Sequence, residues 1–192
     1  MLDWRPMKLN VIRSDIASVR ADAICTSTNP RLSLYEGTGG AVRERGGWEI
    51  KRACEALLEE ERDSTGRQEL SVGAVRVTTP GSLPAKVVLH CVASDMLHRS
   101  SKEIISACVG NAIVRARQEG CASIAMPVFA TGHAAFRFES AVEAMAEAIR
   151  DAPAGIEEIT IALLDEERVE DVRRILEQVA GLAVRTGGGG AR

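Results

Sequence analysis

The chain has 192 residues, 45% of them hydrophobic and 27% charged, enough for one medium domain with a real core and short for two. Its 24 basic and 27 acidic residues give a net charge of −3, which argues against a nucleic-acid binder working through bulk phosphate attraction and against a polybasic membrane anchor. A small anion held by backbone N–H groups stays compatible with that balance, because net charge does not report on one cleft.

Aromatic residues make up only 3%, so packing must rest on Val, Ile, Leu and Ala. No apolar run approaches the ~20 residues a membrane helix needs, and residues 1–6 lack the apolar core of a signal peptide. The cysteines, Cys25, Cys54, Cys91, Cys108 and Cys121, are odd in number and contain no Cys-x-x-Cys pair. They read as reduced, buried small hydrophobes of a cytoplasmic protein. His90, His98 and His133 form no ligand spacing with them, so no metal is expected.

In chain order, residues 8–13 and 21–26 are Val- and Ile-bearing strands. Residues 40–61 predict one helix, with Val42, Trp48, Ala53, Leu57 and Leu58 on its apolar side. Two strands follow at 72–79 and 86–93, parted by a sharp break at Pro80-Gly81-Ser82-Leu83-Pro84, and form a hairpin-like pair with a wide turn. Residues 101–119 are a helix with Ser100 or Ser101 as N-cap, Glu103 in the first turn and Gly120 as the stop. Strand 122–126, stopped by Pro127, then leads to helix 139–150, strand 156–164 and helix 166–179. Alternating strand and helix implies parallel pairing, and the hairpin makes the sheet mixed, with helices on both faces. Residues 1–185 are expected to form a single domain. The Gly-rich stretch 186–192 is too poor in apolar groups to pack and is expected to be a flexible tail.

Three segments directly after strands have ligand chemistry. Asp15, in Arg13-Ser14-Asp15-Ile16, can accept from an exocyclic amine such as adenine N6; the plainer alternative is that it begins a turn. Thr26-Ser27-Thr28-Asn29-Pro30, then Gly37-Thr38-Gly39-Gly40-Ala41-Val42, ends a strand in small polar residues and opens a helix from a Gly-rich loop. Free N–H groups and the helix dipole can hold a phosphate there, although the pattern is neither a dinucleotide fingerprint nor a P-loop. The bland alternative is a turn with an N-cap. The third segment is Pro127-Val128-Phe129-Ala130-Thr131-Gly132-His133-Ala134-Ala135-Phe136. It leaves backbone amides accessible and carries a Phe136 that either stacks on a base or fills core. His133 is either a general base or simply exposed. In an open α/β sheet the three ends share one edge.

Taken together, Asp15-Ile16, the strand ending at Asn29, Gly37 to Gly40, the stretch from Ser82 to His90, and Ser123-Ile124-Ala125-Met126-Pro127 with Thr131-Gly132 resemble macrodomains. These are ADP-ribose binders of the ADP-ribose-1″-phosphate-processing kind. The likeness covers nearly the whole chain, and Arg45-Gly46-Gly47-Trp48-Glu49 is similar to the macro-type histone variants and their bacterial relatives. The resemblance implies a three-layer α/β/α sandwich with a six-stranded mixed sheet and an ADP-ribose cleft, with no cofactor or metal. It also implies that Asp15 takes the adenine amine beside the Ile16 amide, and that Asn29 faces the distal ribose. Gly37, Thr38, Gly39 and Gly40 would line the diphosphate and distal ribose. Thr131, Gly132, His133 and Ala134 would give N–H groups to the phosphates, and Phe136 would stack on the adenine side. The implied partner is ADP-ribose or an ADP-ribosylated macromolecule, with no membrane and no sequence-specific nucleic acid.

Hydrolytic relatives carry Asn-Ala-Ala-Asn and Gly-Val-Asp-Gly where this chain has Thr26-Ser27-Thr28-Asn29 and Gly37-Thr38-Gly39-Gly40. Gly39 thus replaces a carboxylate and Thr26 an Asn, and Ala135 replaces a Gly of the second loop. The expectation is a recognition module. The alternative is a hydrolase that removes ADP-ribose or an acyl group.

Overall fold

The computed structural model describes residues 7–181 and 183–188. Strand β1 (Lys8–Arg13) is followed by a 3-10 turn (Ile16–Ser18), β2 (Ala23–Thr28), α1 (Gly37–Gly46) and α2 (Trp48–Thr65). Then come β3 (Val75–Thr78), β4 (Val87–Val92), α3 (Lys102–Gln118) and β5 (Ser123–Met126). The order closes with α4 (Phe138–Arg150), β6 (Glu158–Leu163), α5 (Glu167–Ala180) and β7 (Val184–Gly188). The sheet runs β3-β4-β2-β5-β6-β1-β7. Only β3 is antiparallel to its neighbour, pairing Val75 with Cys91, as the predicted hairpin requires.

Strand periodicity divides the core in two. Cys25, Leu89, Ile124, Met126, Ile159 and Ile161 point to the face covered by α3, α4 and α5. Ile24, Val88, Val92, Ala125 and Ala162, one residue out of phase, point to the face covered by α1 and α2. This is the expected α/β/α sandwich. All five cysteines are buried and unpaired. No helix among the described residues is long and apolar enough to cross a membrane.

Two expectations need correction. The single helix over 40–61 is two helices, broken where Gly47 takes φ +95, a left-handed conformation open to glycine. The preceding Gly46 lets Pro80-Gly81 approach so closely that the Ser82 N–H donates to the Gly46 carbonyl at 3.0 Å. Secondly, the sheet has seven strands among the described residues, not six. Thr186, Gly187 and Gly188 lie in β7 and pair with Val11, Ile12 and Arg13 of β1, so the predicted tail does not begin at 186. Main-chain hydrogen bonds to an otherwise open edge make this strand, with Val184 at its start packed against the core. The rest of the expected tail, residues 189–192, lies outside the described residues.

Candidate functional site

Strands β1, β2, β4, β5 and β6 run in one direction, so their C-terminal ends share one edge. A cleft of about 1070 Å³ opens there, lined by the loops after β1, β2, β4, β5 and β6. That is ample for a nucleotide-sized ligand. It brings together Asp15, Ile16, Asn29, Gly37, Thr38, Thr131, Gly132, His133, Ala134 and Phe136.

At one end, Asp15 caps the 3-10 turn: its Oδ1 accepts from the Ala17 N–H at 2.9 Å, while Oδ2 lies 3.4 Å from Arg45 Nε. The plain turn role is therefore real, and each carboxylate oxygen keeps further acceptor capacity. The Ile16 N–H has no acceptor among the described residues. Half-buried Phe136 packs against the core, as its plainer alternative has it, and also lines the cleft. Phe138, which sequence reasoning missed, lines this end too, with the Arg168 guanidinium 4.3 Å from its ring centre. Arg168 is anchored by Asp165 at 3.5 Å and Glu139 at 3.9 Å.

In the middle, two backbone devices face each other. Helix α1 begins at Gly37 with no side-chain cap, and its N-terminus, with Gly37 and Thr38, lies at the cleft, where its dipole favours negative charge. Across from it, the amides of Thr131, Gly132, His133 and Ala134 have no acceptor among the described residues, while those of Ala130, Ala135 and Phe136 are spent inside the protein. Ser27, missed in the sequence, ties the two walls. Its N–H donates to Thr38 Oγ1 at 3.1 Å, and its Oγ accepts from the Ala130 N–H at 3.1 Å. Ala130 (φ 61), Ala135 (φ 46) and His98 (φ 58) are held left-handed around this cleft at a cost of about 1–2 kcal/mol each. Ala135 thus adopts the backbone for which the family's glycine is suited.

At the far end, Asn29 organises its own turn. Its Oδ1 accepts from the Arg31 and Ser33 amides at 3.0 and 3.3 Å, leaving the Nδ2 donors without an acceptor among the described residues. Exposed His133 is not partnerless, because its Nε2 lies 2.5 Å from Glu36 Oε2 and its ring 6.0 Å from that of His98. Glu36, Tyr35, Ser94 and His98 complete this end and were not foreseen.

Two expected residues are not in the cleft. Gly39 and Gly40 are buried, and a Cβ would sit 3.1 Å from the Ser33 carbonyl at Gly39 and 3.0 Å from the Tyr35 carbonyl at Gly40. They exist so that α1 can lie against the segment leading into it. A side chain at 39 would meet that backbone, and the carboxylate that lines this end is that of Glu36. Thr26 is also turned away: its Oγ1 pairs with buried His90 Nδ1 at 3.1 Å. Among the described residues no group of three metal-binding side chains is gathered.

The chain belongs to the Macro domain family, whose model matches residues 25–145. It is 33% identical over 172 residues to a protein of Pyrobaculum aerophilum, covering 88% of this chain and 90% of that one. It is 28% identical over 176 residues to the O-acetyl-ADP-ribose deacetylase of Citrobacter rodentium, covering 89% and 96%. Against Mycobacterium relatives, 28% identical over 158 residues, it spans about 41% of their length. Among solved structures, a variant macrodomain of Oceanobacillus iheyensis with ADP-ribose superimposes with a TM-score of 0.76 at 20% identity, covering 90% and 93%. At that identity the likeness is one of fold.

Proposed function

We propose that the chain is a recognition module for ADP-ribose, whether free, O-acylated or attached to a macromolecule. The observation that carries this reading is the pair of facing amide sets: the uncapped start of α1 and the unpaired amides from Thr131 to Ala134. Between them a diphosphate would gain donors from both walls without a bulk positive field. Asp15 and Phe136 at one end suit an adenine, and the Asn29 amide at the other suits a ribose hydroxyl. Titration calorimetry tests this directly. ADP-ribose should bind more tightly than ADP, and ADP more tightly than AMP, because the distal ribose and the second phosphate each add contacts. Equal affinities for ADP-ribose and AMP would refute it.

A second reading, hydrolysis of an ADP-ribose conjugate, is favoured by one contact. Glu36 holds His133 Nε2 and would orient the ring with Nδ1 as a base for water. Both side chains are largely exposed, at 66% and 63%, so the pair is weakly fixed, and binding without turnover remains the leading reading. The expected result is little or no release of ADP-ribose from a mono-ADP-ribosylated acidic side chain or of acetate from O-acetyl-ADP-ribose. Robust turnover that His133→Ala abolishes would make the protein an enzyme and His133 its base.

A further inference from the structure

The cleft's far end meets an exposed strip that the cleft itself does not use. Tyr35, which lines that end, is 67% exposed, and Trp48, the first residue of α2, is 65% exposed outside the cleft. In a chain with one Tyr and two Trp, leaving these rings in water forgoes much of the stabilisation that aromatic burial supplies. They are not isolated. The Arg43 guanidinium carbon lies 5.8 Å from the Tyr35 ring centre and 6.0 Å from that of Trp48, and Lys51 Nζ lies 5.3 Å beyond, over Trp48. Lys51 is engaged by Glu55 at 2.8 Å, whereas Arg43 makes no ion pair among the described residues. Leading outward from the cleft, the surface therefore offers a ring, an uncommitted guanidinium, a second ring and a tethered ammonium. The break at Gly47 creates this order, because it starts a new helix with Trp48 beside Arg43.

We infer that this strip receives the second unit of an ADP-ribose oligomer whose first unit occupies the cleft, an inference that rests on the ADP-ribose reading above. With adenine at the Asp15 end, the distal ribose reaches the end bounded by Asn29 and Tyr35, and whatever is joined to that ribose emerges there. In an oligomer the next group is an adenosine, so a base comes first and its diphosphate follows. A ring at the exit and a free guanidinium behind it match that order: bases stack on aromatic faces, and guanidinium binds phosphate bidentately. A nucleic-acid strand joined through a terminal phosphate presents the groups in reverse, phosphate before base. The chain's net charge of −3 also suits local reading of one diphosphate better than capture of a long polyanion.

The experiment titrates the full chain with three probes: ADP-ribose, the two-unit oligomer, and ADP-ribose joined to a terminal phosphate of a short single-stranded DNA. The two-unit oligomer should bind at least about fivefold more tightly than the monomer, the lower range for one stacked base. Arg43→Gln should remove most of that gain, Trp48→Ala, which takes away a ring that the Arg43 guanidinium packs over, should remove part of it, and both should leave monomer affinity unchanged. Both positions lie outside the cleft, and a thermal melt of each variant verifies the fold. Equal affinity of monomer and oligomer in the wild type, or a gain that neither variant touches, overturns the strip and leaves the cleft reading standing. A larger, Trp48-dependent gain for the DNA conjugate assigns the strip to nucleic acid and overturns the proposal. Failure of all three probes to bind overturns the cleft reading and the strip with it.

Discussion

Asp15 carries two tasks on one carboxylate, and the two separate by substitution. One oxygen caps the 3-10 turn at 2.9 Å, a bond whose loss costs about 1 kcal/mol, or a few degrees of melting temperature. The remaining acceptor capacity faces the cleft. Asp15→Ala is therefore expected to lower both the unliganded melting temperature and the ADP-ribose affinity, the latter by about 1–3 kcal/mol. Asp15→Asn keeps an oxygen for the cap but loses the charge, so melting should recover while affinity stays reduced. Calorimetry and thermal melts on the two variants test this, and wild-type affinity in Asp15→Asn would show that the charge is not read. Asp22 at the opposite edge is the contrast. Its carboxylate accepts from the Ala122 amide at 2.8 Å, the main cause of its lowered pKa, and pairs with Lys86 at 3.1 Å, so it fastens the starts of β2, β4 and β5.

At the scale of elements, the sequence placed the strands with a continuous apolar face, and it failed where backbone pairing decides more than side chains do. β7 has a single apolar anchor, Val184, and ends in Thr186-Gly187-Gly188, where pairing with the open edge of β1 extends the strand. The α1–α2 break escaped notice because both halves carry apolar residues on one side. Two adjacent glycines marked it, but only the close approach of residues 80–82 shows why they are there. That junction supports a graded test. A Cβ at Gly46 would come within 2.2 Å of Ile50 Cδ1, the movable end of a side chain. At Gly81, which has φ +56, it would come within 1.9 Å of the Gly46 carbonyl oxygen, which is fixed backbone. Gly81→Ala is thus expected to cost at least about 2 kcal/mol, and more than Gly46→Ala, since strain and overlap add. Urea unfolding of both variants checks the order. Reversed costs would mean that residues 80–82 yield more readily than the side chains around Ile50.

For the whole molecule, the cleft was legible because parallel strands send their loops to one edge, a consequence of topology that three loop chemistries reinforced. The buried polar tie around His90 was not legible, since His90 and Thr26 only look like strand residues. His90 is fully buried and joins three elements to its own strand: Thr26 of β2 at Nδ1, and at Nε2 Thr78 of β3 at 2.9 Å and Cys54 of α2 at 3.5 Å. Burial lowers its pKa to about 4, so the ring is neutral in the folded protein at neutral pH. In the unfolded chain it titrates near 6.5. Below that value the unfolded state binds the proton that the folded state refuses, and stability falls as pH drops toward 4. The stabilisation is fully present above about pH 6.5. A gap of about 2.5 pH units corresponds to about 3 kcal/mol at most, of which about 2 kcal/mol is already gone at pH 5. Urea unfolding between pH 8 and 4.5 should show this loss before most carboxylates titrate. In His90→Gln, whose amide can still pair with a threonine hydroxyl, the loss should flatten even though the variant starts less stable. An equally steep fall in that variant would place the acid sensitivity elsewhere in the fold.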